Sequence, residues 1–102
     1  MTIDLNRLSA QVATALKIGR EVAANTKDGG ICNLDGIILH LPRVREKAVK
    51  AAGIPARRWA SGEYHILEDF GGQANRRTAG VRAAADYLRS QGVDCGIYYA
   101  MD

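Results

Sequence analysis

One stretch of this chain, GGQANRRTAG at positions 71–80, holds side chains suited to gripping an anion. Paired glycines let a backbone turn sharply just before a helix starts, where unpaired N–H groups and the helix dipole favour negative charge. Arg76 and Arg77 add fixed positive charge and forked donors that match phosphate or carboxylate. Gln73 and Asn75 add amide groups beside them, and an aromatic Tyr98 can join the same surface. The glycine spacing is not that of a dinucleotide fingerprint, and the Lys-Ser/Thr ending of a phosphate-binding P-loop is missing. The competing reading is a glycine turn followed by a capped helix with solvated arginines. The residue types leave both open.

A second chemical resource is the basic middle of the chain. Residues 31–60 carry six basic side chains against two acidic ones, whereas 61–102 carry four against six. Arg43, Lys47, Lys50, Arg57 and Arg58 can contact phosphates, with Trp59 available for stacking on a base. A solvated helix face gives the same pattern. Residues 48–62, AVKAAGIPARRWASG, superficially resemble the turn and recognition helix of a helix-turn-helix repressor. Six steps from Gly53 to Trp59, with Pro55 among them, are too few for that helix.

For catalysis the residues offer little. Glu63 and His65 stand two apart on an expected strand and so share a face, the minimum for an acid/base pair. Glu68 and Asp69 follow closely, and Ser61 and Ser90 lack the setting of an activated nucleophile. Cys32, His40, His65 and Cys95 form none of the close pairs that mark a zinc site. Two reduced thiols are expected, with no metal, no cofactor and no enzymatic activity.

These side chains need a frame. Leu5, Leu8, Val12, Ala15, Gly19 and Val22 recur at helical spacing, predicting a helix over 4–25 with Asp4 as its N-cap. Ala15 and Gly19 would let another element approach closely, and Asn25 with Asp28-Gly29-Gly30 would end the helix. GIILHL at 36–41 reads as a strand. A second helix is predicted from Pro42 to Ala52, burying Val44, Ala48 and Ala51 and turning Arg43, Lys47 and Lys50 outward. ARRWASG at 56–62 reads as a basic connection, and EYHILEDF at 63–70 as a second strand. A third helix follows, capped by Asn75 or Thr78, with Gly80, Val81, Ala84, Tyr87 and Leu88 inward. VDCGIYYA at 93–100 is the last strand, with Tyr98 facing away from Cys95 and Ile97. The order is α-β-α-β-α-β, an α+β two-layer domain over 1–102, with a three-stranded sheet and helices mainly on one face.

Composition agrees with one globular domain: 102 residues, 47% hydrophobic, 25% charged and a formal net charge of +3. Tryptophan and phenylalanine are scarce, so the core rests on Ala, Val, Ile and Leu, and a homodimer could supplement it. Asp4 and Arg7 stand where a signal peptide would be apolar, and no run suits a membrane helix. The expected location is the cytoplasm.

From about residue 30 onward the chain resembles a group of small proteins encoded by phages, prophages and other mobile elements. The resemblance lies in Cys32-Asn33-Leu34-Asp35, Trp59, Gly72-Gln73-Ala74-Asn75-Arg76-Arg77-Thr78, and the ending from Gly92 to Asp102, GVDCGIYYAMD. Ala74 and Cys95 stand where the group has glycine and alanine. It implies a non-enzymatic accessory protein that binds and inhibits a host defence complex, in the manner of an anti-CRISPR protein, inside a bacterial cytoplasm. A nucleic-acid or nucleotide-phosphate binder is the alternative. In either case Arg76 and Arg77 are expected to serve the partner, so that reversing both charges leaves thermal stability nearly unchanged.

Overall fold

The computed structural model describes residues 3–27, 29, 35–67, 70 and 74–98. The element order is α1 (Leu5–Ala24), β1 (Gly36–His40), α2 (Glu46–Ala51), β2 (Ala56–Ala60), β3 (Glu63–Ile66), α3 (Ala74–Ser90) and β4 (Cys95–Tyr98). The sheet runs β2-β3-β1-β4 with every neighbouring pair antiparallel. After α1, this is the β-α-β-β-α-β order of a split βαβ unit.

The long helices form as the spacing predicts. Asp4 caps α1, its carboxylate accepting the Arg7 N–H at 3.1 Å. Leu8, Val12, Ala15, Leu16, Gly19 and Ala23 make its buried stripe. Gly80, Val81, Ala84, Ala85 and Leu88 do the same for α3. Asn75 and Thr78 lie within α3 rather than capping it. At the C-terminal end, Gly92 takes φ 80°, Gly92 N–H reaches Arg89 O, and Val93 N–H reaches Leu88 O. Those two bonds satisfy carbonyls that a helix end otherwise leaves open.

One face of the sheet supplies Ile37, Leu39, Ala56, Tyr64, Ile66 and Cys95 to a single hydrophobic cluster with α1, α3 and Val49 of α2. The α+β class and the one-sided helix layer therefore stand. Three expectations change. The sheet has four strands, because ARRWA is strand β2 and not a connection. It is an edge strand that buries only Ala56, so it lacks the apolar alternation by which strands are read. That strand also excludes a recognition helix at 53–59. The strand predicted over 63–70 ends at Ile66, with Glu68 and Asp69 outside the described residues.

Third, α2 begins at Glu46 rather than Pro42. Arg43 has φ 63°, a left-handed conformation through which a helix cannot run. In the shortened helix Val49 is buried, while Ala48 and Ala51 are exposed. Among the described residues no helix is long and apolar enough to cross a membrane.

Candidate nucleic-acid interface

Strand alternation that sends Ile37, Leu39, Tyr64 and Ile66 inward sends a different set to the face opposite the described helices. Arg57, His65, Ile38 and Gly96 stand in register across all four strands, and Tyr98 pairs with Gly36. Gly36 leaves the floor of this face low. The His65 ring lies over it, and a Cβ added at Gly36 would collide with His65 Nε2. Trp59 packs edge-on against His65, with ring centroids 5.6 Å apart at 86°, and against Tyr98 at 5.0 Å and 53°. Both separations suit attractive aromatic pairs. Trp59 is 49% exposed and Tyr98 39%, so ring surface stays open to a ligand. The irregularity between Arg58 and Ala60 takes Trp59 out of regular pairing.

The electrostatics of the face are visible at His65. Burial, then the Arg57 charge, then the Arg77 charge hold its pKa below the usual histidine value of 6.5. Its buried Nδ1 has no hydrogen-bond partner among the described residues. The folded protein therefore favours neutral His65, and the unfolded chain binds the proton more readily. The stability gained from keeping it neutral is fully present above about pH 6.5 and is lost as pH falls through the folded-state pKa. Melting curves of wild type and His65→Gln between pH 7.5 and 5 check this. The wild type should lose more stability on acidification than the variant, and parallel curves would refute the assignment.

The unpartnered Nδ1 also bears on catalysis. Glu63 shares the face with His65, but it does not orient the ring through that nitrogen. Among the described residues no three His, Cys, Asp or Glu side chains are grouped to hold a metal. The Cys95 thiol is buried, and burial raises its pKa above the ordinary thiol value. Cys32 lies outside the described residues.

The basic residues anticipated as one surface are divided. Arg57 and Trp59 join the aromatic face with Tyr98. The Arg58 side chain is exposed, and its backbone N–H donates to Glu46 Oε2 at 3.1 Å, toward α2. Lys47 and Lys50 are exposed on α2, where Lys50 pairs with Glu46 at 3.9 Å, and Arg43 sits in the preceding turn. A strand's period of two parts adjacent residues that a helix or loop would have grouped. His65 and Gly36, which shape the face, were not anticipated in that role. The alternation of GIIL and EYHI was the available signal.

The start of α3 has a structural task. Arg76 Nε donates to Thr26 O at 3.1 Å, and Arg77 Nε donates to Asp35 O at 3.0 Å. Thr78 Oγ1 donates to the carboxylate of Asp35, which is 1% exposed, at 3.0 Å. These bonds fasten α3 to the end of α1 and the entry of β1. Asn75 is exposed, with its backbone N–H on Gly29 O, and Gln73 lies outside the described residues. The expectation of unchanged stability is accordingly revised. Arg76→Glu with Arg77→Glu should cost ~2–3 kcal/mol, since two charge-assisted bonds are lost. Thermal denaturation reads this as a drop of roughly 10–20 °C, and an unchanged melting temperature would return the two arginines to a partner role.

Set against family models, curated proteins and solved structures, the chain matches none of them.

Proposed function

We propose that this protein binds single-stranded nucleic acid on the face of its sheet opposite the helices. The observation that supports this most is the half-exposed Trp59–Tyr98 pair, with Trp59 packed on the His65 ring that covers Gly36 and Arg57 in register beside His65. Exposed aromatic rings on an antiparallel sheet take unstacked bases on their faces, at ~1–3 kcal/mol per base. Arginine beside them adds attraction for the backbone phosphates. The net charge of +3 acts in the same direction. Topology by itself assigns no function, and it is the chemistry of this face that supports one.

Trp59 is the only tryptophan, so its fluorescence reports on the face directly. Titration with oligothymidylate and oligouridylate at low salt should quench it saturably. The affinity should fall with salt with a log–log slope of ~0.7 per phosphate contacted. No quenching and no gel shift with either strand would overturn the reading.

A second reading has one observation in its favour. Leu67, 49% exposed and one residue beyond β3, is a further large apolar side chain left open among the described residues, which base stacking does not require. Trp, Tyr and Arg are the usual anchors of protein interfaces. In that reading the same face docks on a protein partner, such as a host defence effector complex that a mobile-element protein would inhibit. Quenching by the purified effector, with none by oligonucleotides, would select it.

A further inference from the structure

The turn that precedes α2 builds a second basic site, away from the aromatic face. Val44 N–H bonds to Leu41 O at 3.2 Å, Pro42 takes the second position and Arg43 the third, with φ 63°. This is the pattern of a type II turn, whose third position favours glycine. A long side chain there holds strained backbone, a condition that concentrates at binding sites.

The β2–β3 hairpin seats its tip on this turn. Leu41 N–H donates to Gly62 O at 2.8 Å, and a Cβ at Gly62 would lie 3.4 Å from Pro42 Cα. Between turn, hairpin and α2 lies a cavity of about 280 Å³ whose lining includes Arg43, Arg45, Arg58, Ser61, Glu46 and Tyr64. Two of these are already engaged. Glu46 accepts from Arg58 N–H and pairs with Lys50, and the Tyr64 hydroxyl donates to Val44 O. Among the described residues the Arg43, Arg45 and Arg58 guanidinium groups have no hydrogen-bond or ion-pair partner. Three like charges therefore surround one cavity, facing a single carboxylate. Guanidinium groups only donate, and their forked geometry matches a tetrahedral oxyanion.

We propose that this cavity is a phosphate-binding site. Arg43, Arg45 and Arg58 grip the phosphoryl oxygens and the Ser61 hydroxyl donates beside them. The phosphoryl group belongs either to free phosphate or to the end of a nucleic-acid strand. The site stands independently of the aromatic face.

The test is titration of the full chain with inorganic phosphate at constant ionic strength, followed by calorimetry and by amide chemical shifts. Saturable binding is expected, with shifts at 43–46 and 58–62. Arg45→Gln and Arg58→Gln should each weaken it about tenfold. Arg43→Gly separates a ligand role from a structural one, because it should raise the melting temperature by relaxing the turn and still weaken phosphate binding several-fold. Trp59→Ala should leave phosphate binding unchanged, so the two proposals fail separately. A second arm compares one oligonucleotide with and without a 5′-phosphate. Tighter binding of the phosphorylated strand, lost in Arg58→Gln, identifies a strand end as the source, and binding of inorganic phosphate alone identifies the free ion. No binding of phosphate, or equal binding by wild type and the Arg45→Gln, Arg58→Gln double variant, would overturn the proposal.

Discussion

Alanine at both Trp59 and Tyr98 should abolish measurable oligonucleotide binding and leave the fold close to intact. Each ring that stacks on a base contributes ~1–3 kcal/mol, so losing both weakens affinity by roughly 30-fold to 20,000-fold. The stability cost is smaller, because Trp59 is 49% and Tyr98 39% exposed and neither belongs to the buried cluster. Loss of their mutual contact should cost ~0.5–1.5 kcal/mol beyond the apolar area exposed. A gel shift and a melting curve on the same double variant check both halves. Retained binding would remove the aromatic face from function. A collapse of the melting temperature would show that the rings hold the sheet together. Arg57→Gln is the companion variant, and it should reduce the salt slope by ~0.7 if that side chain contacts a phosphate.

Valine at Gly19 or Gly80 should destabilise the fold more than either arginine or aromatic replacement, by ~3 kcal/mol or more. The two glycines face each other where α1 crosses α3. A Cβ on Gly19 would lie 2.8 Å from Gly80 O and 2.5 Å from Phe70 Cε1, and one on Gly80 would lie 2.9 Å from Gly19 O. The backbone oxygens cannot step aside, and Phe70 is itself only 8% exposed. Overpacking of this kind costs ~1–3 kcal/mol even with some relaxation. In this crossing the helices must also separate, exposing the stripe from Val12 to Ala23. The few tenths of a kcal/mol, roughly, that a helix gains when glycine is replaced by valine offset only a small part of this. Against a total stability of ~5–15 kcal/mol, the midpoint of urea denaturation should fall severely. Arg82→Ala, on the exposed side of α3, should stay within ~0.5 kcal/mol. A Gly19→Val midpoint equal to that of wild type would mean that the helices do not cross so closely.

Phe70 illustrates why the crossing was only partly legible. The small residues Ala15 and Gly19 announced that something approaches α1, and the helical spacing located the stripe. Neither could say that the wedge would be an aromatic from the segment after β3. Such a contact joins residues distant in the chain, and no local period encodes it.

Arg57 and Arg58 carry the same lesson for the site. As neighbours in a basic run they read as one patch with Trp59. Once Ala56–Ala60 joins β3, Arg57 stands beside His65 on the aromatic face and Arg58 lies with Arg43 and Arg45 at a different cavity. The edge strand buries one residue in five and so carries no apolar alternation of its own. Its conformation comes from the free edge that β3 offers, a property of the assembled sheet.

What the sequence by itself determined is the set of elements whose periodicity is strong and local. These are α1 with its Asp4 cap, the core strand GIIL, α3 with its Gly92 terminus, and hence the α+β class. Caps, turns and amphipathic stripes act within a few residues, so their physics is written in order along the chain. The tertiary structure alone decided that Trp59 meets both Tyr98 and the His65 ring that covers Gly36. It alone fastened Arg76 and Arg77 to the carbonyls of Thr26 and Asp35, and gathered three arginines around one cavity. Each of these depends on strand order and helix docking. Burial of the whole apolar set selects those, and no single segment specifies them.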